Sequence, residues 1–218
     1  MILDKLRVGS YRSNCYIVGS EKSKDVMIID PGADSKKIKE LINNNSYNPK
    51  LILLTHGHGD HIGAAQDLKK EYNIPIYIHK ADINMLKDEN LNFTSRMYKN
   101  GISVNADKLL NEGDNITIDN MKFKVIHTPG HTEGSICVIH KKILFSGDTL
   151  FRGSIGRTDL PGGNHDKIIS SIKEKLLILD EDTVVYPGHE DSTTIKFEKE
   201  NNPFFRWFML KILVLKTI

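Results

Sequence analysis

The chain has 218 residues, of which 39% are hydrophobic and 27% charged, a composition that suits one domain with a full core. The 30 basic residues nearly balance the 28 acidic ones, so the net charge of +2 excludes a broad positive field, and we expect no nucleic-acid partner. The start of the chain, from Met1 to Arg7, lacks the basic and apolar pattern of a secretion signal. Neither cysteine belongs to a Cys-x-x-Cys pair, so Cys15 and Cys137 are interpreted as core thiols of a cytoplasmic protein.

Apolar runs separated by turn residues predict strands that alternate with helices. Strands are predicted over residues 14–18, 26–29, 51–54, 76–78, 115–118, 122–127, 135–139, 143–145 and 183–186. Helices are predicted over residues 34–43, 61–71, 80–87 and 165–179, with a short one from residue 193. Asp119 and Asn120 are expected to form a hairpin turn. Hairpins together with helical crossovers favour two packed sheets with helices outside them over a single doubly wound sheet.

Four side chains that can bind a metal follow the predicted strand 51–54 within six residues. They are His56, His58, Asp60 and His61. Imidazole nitrogen and carboxylate oxygen are suitable ligands for zinc, and the intervening glycines allow the backbone to fold tightly. Chance clustering is the alternative in a chain with nine histidines, but so dense a group argues against it. The pattern therefore predicts a metal site with ligands for two ions.

Three later segments place further candidate ligands beside glycines at the ends of predicted strands. They contain His131 (residues 128–135), Asp148 (residues 146–149) and His189 (residues 186–189). A lone histidine after Pro-Gly is more often an exposed loop residue, but three such sites favour convergence at one edge of the sheets. The other histidines lack this context and are interpreted as structural: His79, His127, His140 and His165.

These segments together resemble the metallo-β-lactamase superfamily from about residue 12 to residue 203. Residues 150–163 are similar to the short glyoxalase II-like branch of hydroxyacylglutathione hydrolases. The resemblance implies a mixed α/β (α+β) fold, a four-layer αββα sandwich with the metals at the edge between the sheets, formed by a domain of residues 1–203. It implies that one ion is held by His56, His58 and His131, the other by Asp60, His61 and His189, and that Asp148 bridges them.

The predicted ligands also indicate a chemistry. Two divalent ions that share a water, most commonly zinc with iron as the alternative, would attack a carbonyl through metal-bound hydroxide, and Asp60 would orient the water or accept its proton. A thiolate leaves without a general acid because the pKa of a free thiol is near 8.5, which favours a small-molecule thioester or ester as substrate. β-Lactamases of the superfamily commonly carry cysteine at the bridging position, so Asp148 argues against a lactam substrate. The resemblance places Asp30 behind the ligands, with a simple turn before Pro-Gly as the alternative.

Arg157 is the predicted substrate-binding residue. A cationic side chain at the corresponding place in glyoxalase II helps to hold a substrate carboxylate, so Arg157 is expected to do the same, with an ion pair to Asp159 as the alternative. The 29 residues that follow His189 in the 218-residue chain are expected to leave no room for the helical domain that supplies other glutathione contacts there. The thiol part of the thioester can therefore be coenzyme A or another small thiol instead of glutathione.

The same ligands are compatible with activities other than hydrolysis. Persulfide dioxygenases of the superfamily share the Gly-Arg-Thr-Asp stretch and use one iron, which His56, His131 and Asp148 would hold here as a facial triad. A non-catalytic, metal-stabilised interaction domain is disfavoured because every ligand of a working site is present. A nuclease is disfavoured by the nearly neutral charge.

The last predicted segment is an apolar tail over residues 204–218. As a helix it would span about 22 Å, too short for the roughly 30 Å hydrocarbon core of a bilayer, so no transmembrane segment is expected. The favoured interpretation is a helix docked on the body or on a second copy of the chain, which would make a homo-oligomer. Attachment to a membrane surface is the alternative.

Overall fold

A computed structural model of the chain describes residues 1–205 and contains two six-stranded sheets and a small hairpin. The first sheet contains β1 Ile2–Val8, β2 Ser13–Gly19, β3 Asp25–Ile29, β4 Asn48–Leu53, β5 Ile76–His79 and β6 Lys108–Leu110, in that spatial order. The later strands are β7 Asn115–Ile118, β8 Met121–His127, β9 Ile136–His140, β10 Ile143–Gly147, β11 Leu150–Phe151, β12 Ser154–Ile155, β13 Val184–Pro187 and β14 Thr193–Thr194. The second sheet has the order β14-β13-β10-β9-β8-β7, and β11 pairs with β12.

Short helices connect and cover the sheets. The α-helices are α1 Ser35–Asn44, α2 Gly59–Ile62, α3 Ala65–Tyr72, α4 Ile83–Lys87, α5 Thr94–Met97, α6 His165–Ser171 and α7 Ile195–Asn201. A 3₁₀ turn, Lys80–Asp82, precedes α4, and a π-helical turn, Ile172–Leu176, continues α6. Crossovers through helices make β3, β4, β5 and β6 mutually parallel, as are β10 and β13, whereas the other pairs of neighbouring strands are antiparallel.

Both faces of the central strands are buried, which produces four layers. In β2, Ile17 packs toward the helices outside the first sheet and Val18 packs between the two sheets. The outer face of the second sheet is covered in the same way by α6 and α7, which contribute Ile168 and Ile195 to a third cluster. Strands covered on both sides are apolar throughout and do not alternate with polar residues. The predicted αββα sandwich is confirmed.

The predicted helix over residues 61–71 is wrong as a single helix, because it is divided into α2 and α3. The backbone N–H of Ala64 donates to the carbonyl of Pro31 at 2.8 Å and not to the carbonyl four residues earlier. That carbonyl, of Asp60, accepts from the hydroxyl of Ser13 at 2.5 Å. The loop after β3 and the first residue of β2 therefore replace one helical hydrogen bond. The four residues of α2 form a separate unit that carries two predicted ligands.

The predicted tail lies mostly outside the described residues, since only Phe204 and Phe205 of it are described. Phe205 is buried in the cluster that also contains residues of α6 and α7. The domain boundary at residue 203 stays a prediction. No helix within residues 1–205 has the length and apolarity needed to cross a membrane.

Candidate metal centre

All seven predicted ligands lie just after the carboxyl ends of strands, at one edge of the sandwich. The segment from His56 to His61 follows β4 of the first sheet. From the second sheet, His131 follows β8, Asp148 follows β10 directly and His189 follows β13. Each sheet therefore contributes part of the site.

The seven side chains form two groups that share Asp148. The donor atoms of His56, His58 and His131 lie within 4.8 Å of one another, as do those of Asp60, His61 and His189. In the first group, His58 Nδ1 and His131 Nε2 are 2.9 Å apart; in the second, His189 Nε2 lies 3.2 Å from Asp60 Oδ2 and 3.3 Å from His61 Nε2. Donors bound to zinc in a tetrahedral arrangement are about 3.3 Å apart, so this spacing fits metal coordination.

Asp148 lies between the two groups and reaches both with its carboxylate. Its Oδ2 is 3.6 Å from His131 Nε2 in the first group and 3.5 Å from His189 Nε2 in the second, and its Oδ1 is 3.4 Å from His61 Nε2. The structure thus brings together all seven predicted ligands, and the bridging role of Asp148 stays a prediction.

The electrostatics of the site also fit divalent cations. His56 Nε2, His58 Nε2 and Asp148 Oδ1 are buried without a hydrogen-bond partner in the described part of the chain. Burial, reinforced by the neighbouring histidines, lowers the pKa of His56 and brings that of His58 to about 3. Burial would also lower the pKa of His61, but the surrounding carboxylates, Asp148 foremost, outweigh it and raise it to about 10. His56 and His58 are therefore neutral, as metal binding requires, whereas His61 has to release a proton before its nitrogen can bind an ion.

Asp30 supports the ligands from behind, as the resemblance implied. Its Oδ1 accepts from the backbone N–H of Thr55 at 2.7 Å, and its Oδ2 accepts from Thr55 Oγ1 at 2.6 Å and from His61 Nδ1 at 3.1 Å. Because the Thr55 hydroxyl gives its hydrogen to Asp30, it accepts from His56 Nδ1 at 3.1 Å. Both histidines therefore have Nε2 free to face the cluster. The Asp30 carboxylate also lies near His56 and His61, but its oxygens are occupied by these donors.

Asp82 is a supporting residue that the sequence reasoning missed. It is 1% exposed, and its carboxylate accepts from Gly57 N at 3.1 Å, Thr132 Oγ1 at 2.7 Å and Gly134 N at 2.7 Å. Burial raises its pKa, although these hydrogen bonds act in the opposite direction. Asp82 thus ties the segment that carries His56 to the one that carries His131. No local signal marked Asp82, because residues 80–87 mix charged, polar and apolar side chains.

The four histidines interpreted as structural lie outside both groups. His79 and His127 stack face to face, with ring centroids 3.9 Å apart, and His140 Nδ1 lies 2.8 Å from the carbonyl oxygen of Lys122. The ring of His165, at the start of α6, lies 6.3 Å from that of Phe204. The two cysteines are free and fully buried, as expected of core thiols, and burial raises the pKa of Cys137 to about 11.

A cleft of about 550 Å³ opens over the two groups. Its apolar walls are formed by Phe93, Met97, Phe151, Ile155 and Leu160. Arg157 also lines the cleft, and its backbone carbonyl accepts from His131 Nδ1 at 2.8 Å. Its guanidinium group, however, donates twice to the carboxylate of Asp159, each time at 2.7 Å, which is the alternative that the sequence left open. A substrate-binding role for Arg157 stays a prediction.

Comparison with known proteins identifies the class that this fold and site define. The model of the metallo-beta-lactamase superfamily matches residues 8–189, so the chain belongs to that superfamily, as the resemblance implied. Among its relatives, the "Probable metallo-hydrolase YqgX" of Bacillus subtilis is 38% identical over 94% of this chain and 98% of its own length. The "Hydroxyacylglutathione hydrolase GloC" of Haemophilus influenzae is also 38% identical, over the same shares of the two chains.

Similar solved structures agree with this assignment. BLEG-1 B3 metallo-beta-lactamase superposes with a TM-score of 0.89 at 39% identity and covers 94% of this chain and 100% of its own. TTHA1623 in a di-iron-bound form gives 0.82 at 34% identity, covering 92% and 99%. ETHE1 from Myxococcus xanthus gives 0.77 at 26% identity, covering 97% and 91%. With the ligand groups described above, these similarities support a hydrolase that binds divalent metal ions.

Proposed function

We propose that this protein hydrolyses a thioester of the hydroxyacylglutathione type with the help of two divalent metal ions. The observation that carries the proposal is that two groups of three possible ligands both lie against Asp148 and that one cleft opens over them. The relative from Haemophilus influenzae that is named a hydroxyacylglutathione hydrolase, which matches nearly the whole chain, supports this substrate class. Zinc is the proposed metal, with iron as the alternative.

When bound, such ions polarise a carbonyl and lower the pKa of a shared water toward neutrality. The chain's own contribution is to position the reactants. The side chain of Asp60 is 20% exposed to the cleft, and its Oδ2 lies 3.2 Å from His189 Nε2, so it can hold the attacking water in line or accept its proton. Asp60 is therefore proposed as both ligand and catalytic residue.

The walls of the cleft suit the rest of a thioester. Aromatic and aliphatic side chains can cover the acyl and thiol portions and exclude water from the scissile carbonyl. Arg157 is proposed to bind a substrate carboxylate, which would have to displace Asp159 from its guanidinium group. The thiol carrier can be glutathione, coenzyme A or another small thiol.

Two other reactions belong in the same test. An iron-dependent persulfide dioxygenase would need only His56, His131 and Asp148, and the complete second group of ligands disfavours it. The aspartate at the bridging position argues against a lactam substrate, yet a structure named as a metallo-beta-lactamase is 39% identical to this chain. A β-lactam is therefore a necessary competitor substrate.

The deciding experiment uses protein purified without oxygen, with its metals counted before assay. S-lactoylglutathione, an acyl-coenzyme A, a persulfide with oxygen, and a cephalosporin are supplied separately. We expect about two metal ions per chain and cleavage of at least one thioester, lost on chelation and restored by zinc or iron. One iron per chain with oxygen consumption on the persulfide, or turnover of the cephalosporin alone, would show that the proposed substrate class is wrong.

A cytoplasmic location and a second copy of the chain as partner stay predictions. The two free, buried thiols are compatible with a reducing compartment. The tail of residues 206–218, which would supply the docking helix, lies outside the described residues.

A further inference from the structure

A second arginine lines the metal cleft beside Arg157. The side chain of Arg96, in α5, is exposed and faces the same cleft as His58, Asp60 and His131. Whereas the guanidinium of Arg157 is held by Asp159 through two hydrogen bonds, that of Arg96 pairs with no carboxylate within residues 1–205. Arg96 is thus a cation that can receive an anion without first giving up another.

An aromatic ring holds Arg96 close to the metal ligands. The guanidinium carbon of Arg96 lies 5.1 Å from the ring centroid of Phe93, within the range of a cation–π contact. The Phe93 ring lies 5.5 Å from the ring of His58. One aromatic ring therefore separates the guanidinium from a metal ligand, a distance that a small substrate can span.

The loop that carries these residues is held in a strained but firmly supported conformation. Phe93 has a φ of +63°, a left-handed conformation that is unfavourable for an aromatic residue. Its neighbours Asn92 and Thr94 are fully buried. Thr94 Oγ1 donates to Asn92 Oδ1 at 2.6 Å and accepts from Ile102 N at 2.7 Å. These buried hydrogen bonds fix the turn that points Phe93 and Arg96 into the cleft.

The same loop is bonded directly to the ligand segment. The backbone N–H of Gly59, between two predicted ligands, donates to the carbonyl of Asn92 at 2.7 Å. A Cβ on Gly59 would approach Met97 Sδ and Thr94 Cγ2 to 2.7 Å, so the two segments pack without a gap. The position of Arg96 relative to the metal ligands is therefore set by the fold and not by a free surface loop.

From these contacts we propose that Arg96 binds an anionic group, carboxylate or phosphate, of the thioester substrate and so determines which thioesters the enzyme accepts. The planar guanidinium matches either anion through two parallel hydrogen bonds. The inference rests on the proposed thioester hydrolysis, and it specifies that the substrate carries a negative charge. The anion can lie on the acyl group or on the thiol carrier, and the experiment distinguishes these sources.

The test compares four thioesters with the metal-loaded enzyme. S-acetyl-N-acetylcysteamine is uncharged, S-succinyl-N-acetylcysteamine carries a carboxylate on the acyl group, and S-acetyl-3-mercaptopropionate and S-acetyl-4′-phosphopantetheine carry an anion on the thiol. For the substrate whose anion reaches Arg96, Arg96→Gln is expected to raise KM about 10- to 100-fold with little change in kcat. The uncharged thioester is expected to show no change, and Arg96→Lys to recover part of the loss.

Arg152→Gln is the matched control. The guanidinium of Arg152 lies over the ring of Phe197 at 5.0 Å, which reproduces the cation–π contact of Arg96, but Arg152 does not line the cleft. Its replacement is expected to leave all four KM values unchanged. Arg157→Gln, assayed in parallel, shows whether the arginine held by Asp159 contributes at all.

Failure of this inference can be told apart from failure of the proposed function. If the thioesters are cleaved but Arg96→Gln affects charged and uncharged substrates alike, or if Arg152→Gln matches its effect, the role of Arg96 is refuted while the hydrolase stands. If no thioester is cleaved, calorimetric binding of the corresponding thioethers to wild type and Arg96→Gln still decides the matter. Equal affinity of both proteins for every charged thioether would then overturn the anion site.

Discussion

Asp30 contacts the predicted ligand His61 directly and the predicted ligand His56 through Thr55. A single oxygen, Oδ2, accepts from both Thr55 Oγ1 and His61 Nδ1, and the residue adopts a φ of +50°. Asparagine tolerates this left-handed conformation as well as aspartate does, so the carboxylate can be tested without disturbing the backbone. An amide nitrogen in the place of Oδ2 would face two donors and accept from neither.

Asp30→Asn is therefore expected to weaken binding at the group of Asp60, His61 and His189 about 10- to 100-fold, because loss of a hydrogen-bond partner behind a ligand has effects of this size. Zinc titration against a competing chelator measures the two sites separately. Asp34→Asn is the control, since Asp34 has a φ of +55° but contacts no ligand. Undiminished affinity for both ions in Asp30→Asn would show that His61 needs no such support.

The ligands could be predicted from the sequence, but most of the residues behind them could not. His56 and Asp148 are recognisable because each follows an apolar run and lies beside a glycine. Asp82 carries no such mark: its partners Thr132 and Gly134 lie 50 and 52 residues away, so only the folded arrangement of the loops reveals its role. Likewise, nothing in the sequence pointed to Arg96, whose guanidinium pairs with no carboxylate within residues 1–205.

At the scale of elements, the β11–β12 hairpin that forms one wall of the cleft is anchored by α7. The carboxylate of Glu198 is fully buried and accepts from Gly153 N, at the turn of the hairpin, at 3.0 Å. It also accepts from Thr193 Oγ1 at 2.6 Å and Asn202 Nδ2 at 2.7 Å. A hairpin with two residues in each strand has little stability of its own, so this helix fixes its position.

Glu198→Gln is expected to lower the free energy of unfolding by about 1–3 kcal/mol, because one of the buried donors would lose its acceptor. Denaturant unfolding measures the loss, and amide hydrogen exchange at Gly153 is expected to become faster. Glu200→Gln, on the exposed side of the same helix, provides the control. Unchanged protection of the Gly153 amide would contradict the anchoring role.

Most of the longer strands were predictable from the sequence, and the shortest strands were not. Each of the nine predicted strands corresponds to an observed strand. Runs such as Val26 to Ile29 are recognisable because a strand that is buried on both faces is apolar at every position. The strands β6, β11, β12 and β14 have two or three residues each, too few to show a period. The edge strand β1 was missed because charged residues, such as Asp4 and Lys5, interrupt its apolar pattern.

Over the whole molecule, exposed carboxylates hold pKa values below their ordinary value of 3.8. They include Asp67, Asp107, Asp159 and Asp180. The main cause at Asp180 is the hydrogen bond and ion pair with Lys142, at 2.8 Å. A carboxylate whose pKa is lowered by folding adds stability above its unfolded pKa, and this contribution is lost as the pH falls through the lowered value. The metal-free protein is therefore expected to lose stability below about pH 4.

Lys142→Gln is expected to return the pKa of Asp180 toward 3.8 and to make the acid side of the stability profile less steep. Carboxyl resonances followed by NMR during a pH titration report the first effect, and denaturant unfolding at several pH values reports the second. High salt is expected to reduce the difference between the two proteins, since the pair is exposed. Lys122→Gln serves as the comparison, and an Asp180 that titrates identically in all three proteins would refute the assignment.

The seven predicted ligands come from both halves of the sandwich. His56, His58, Asp60 and His61 follow a strand of the first sheet, and the other three follow strands of the second. Cations bound by these residues would link the two sheets. Thermodynamic linkage then applies to the two processes. If the bound ions stabilise the packing of one sheet on the other, the packed sheets bind the ions more tightly by the same free energy. A core substitution far from the cleft that weakens the packing between the sheets would therefore lower the affinity for metal and, through it, the activity.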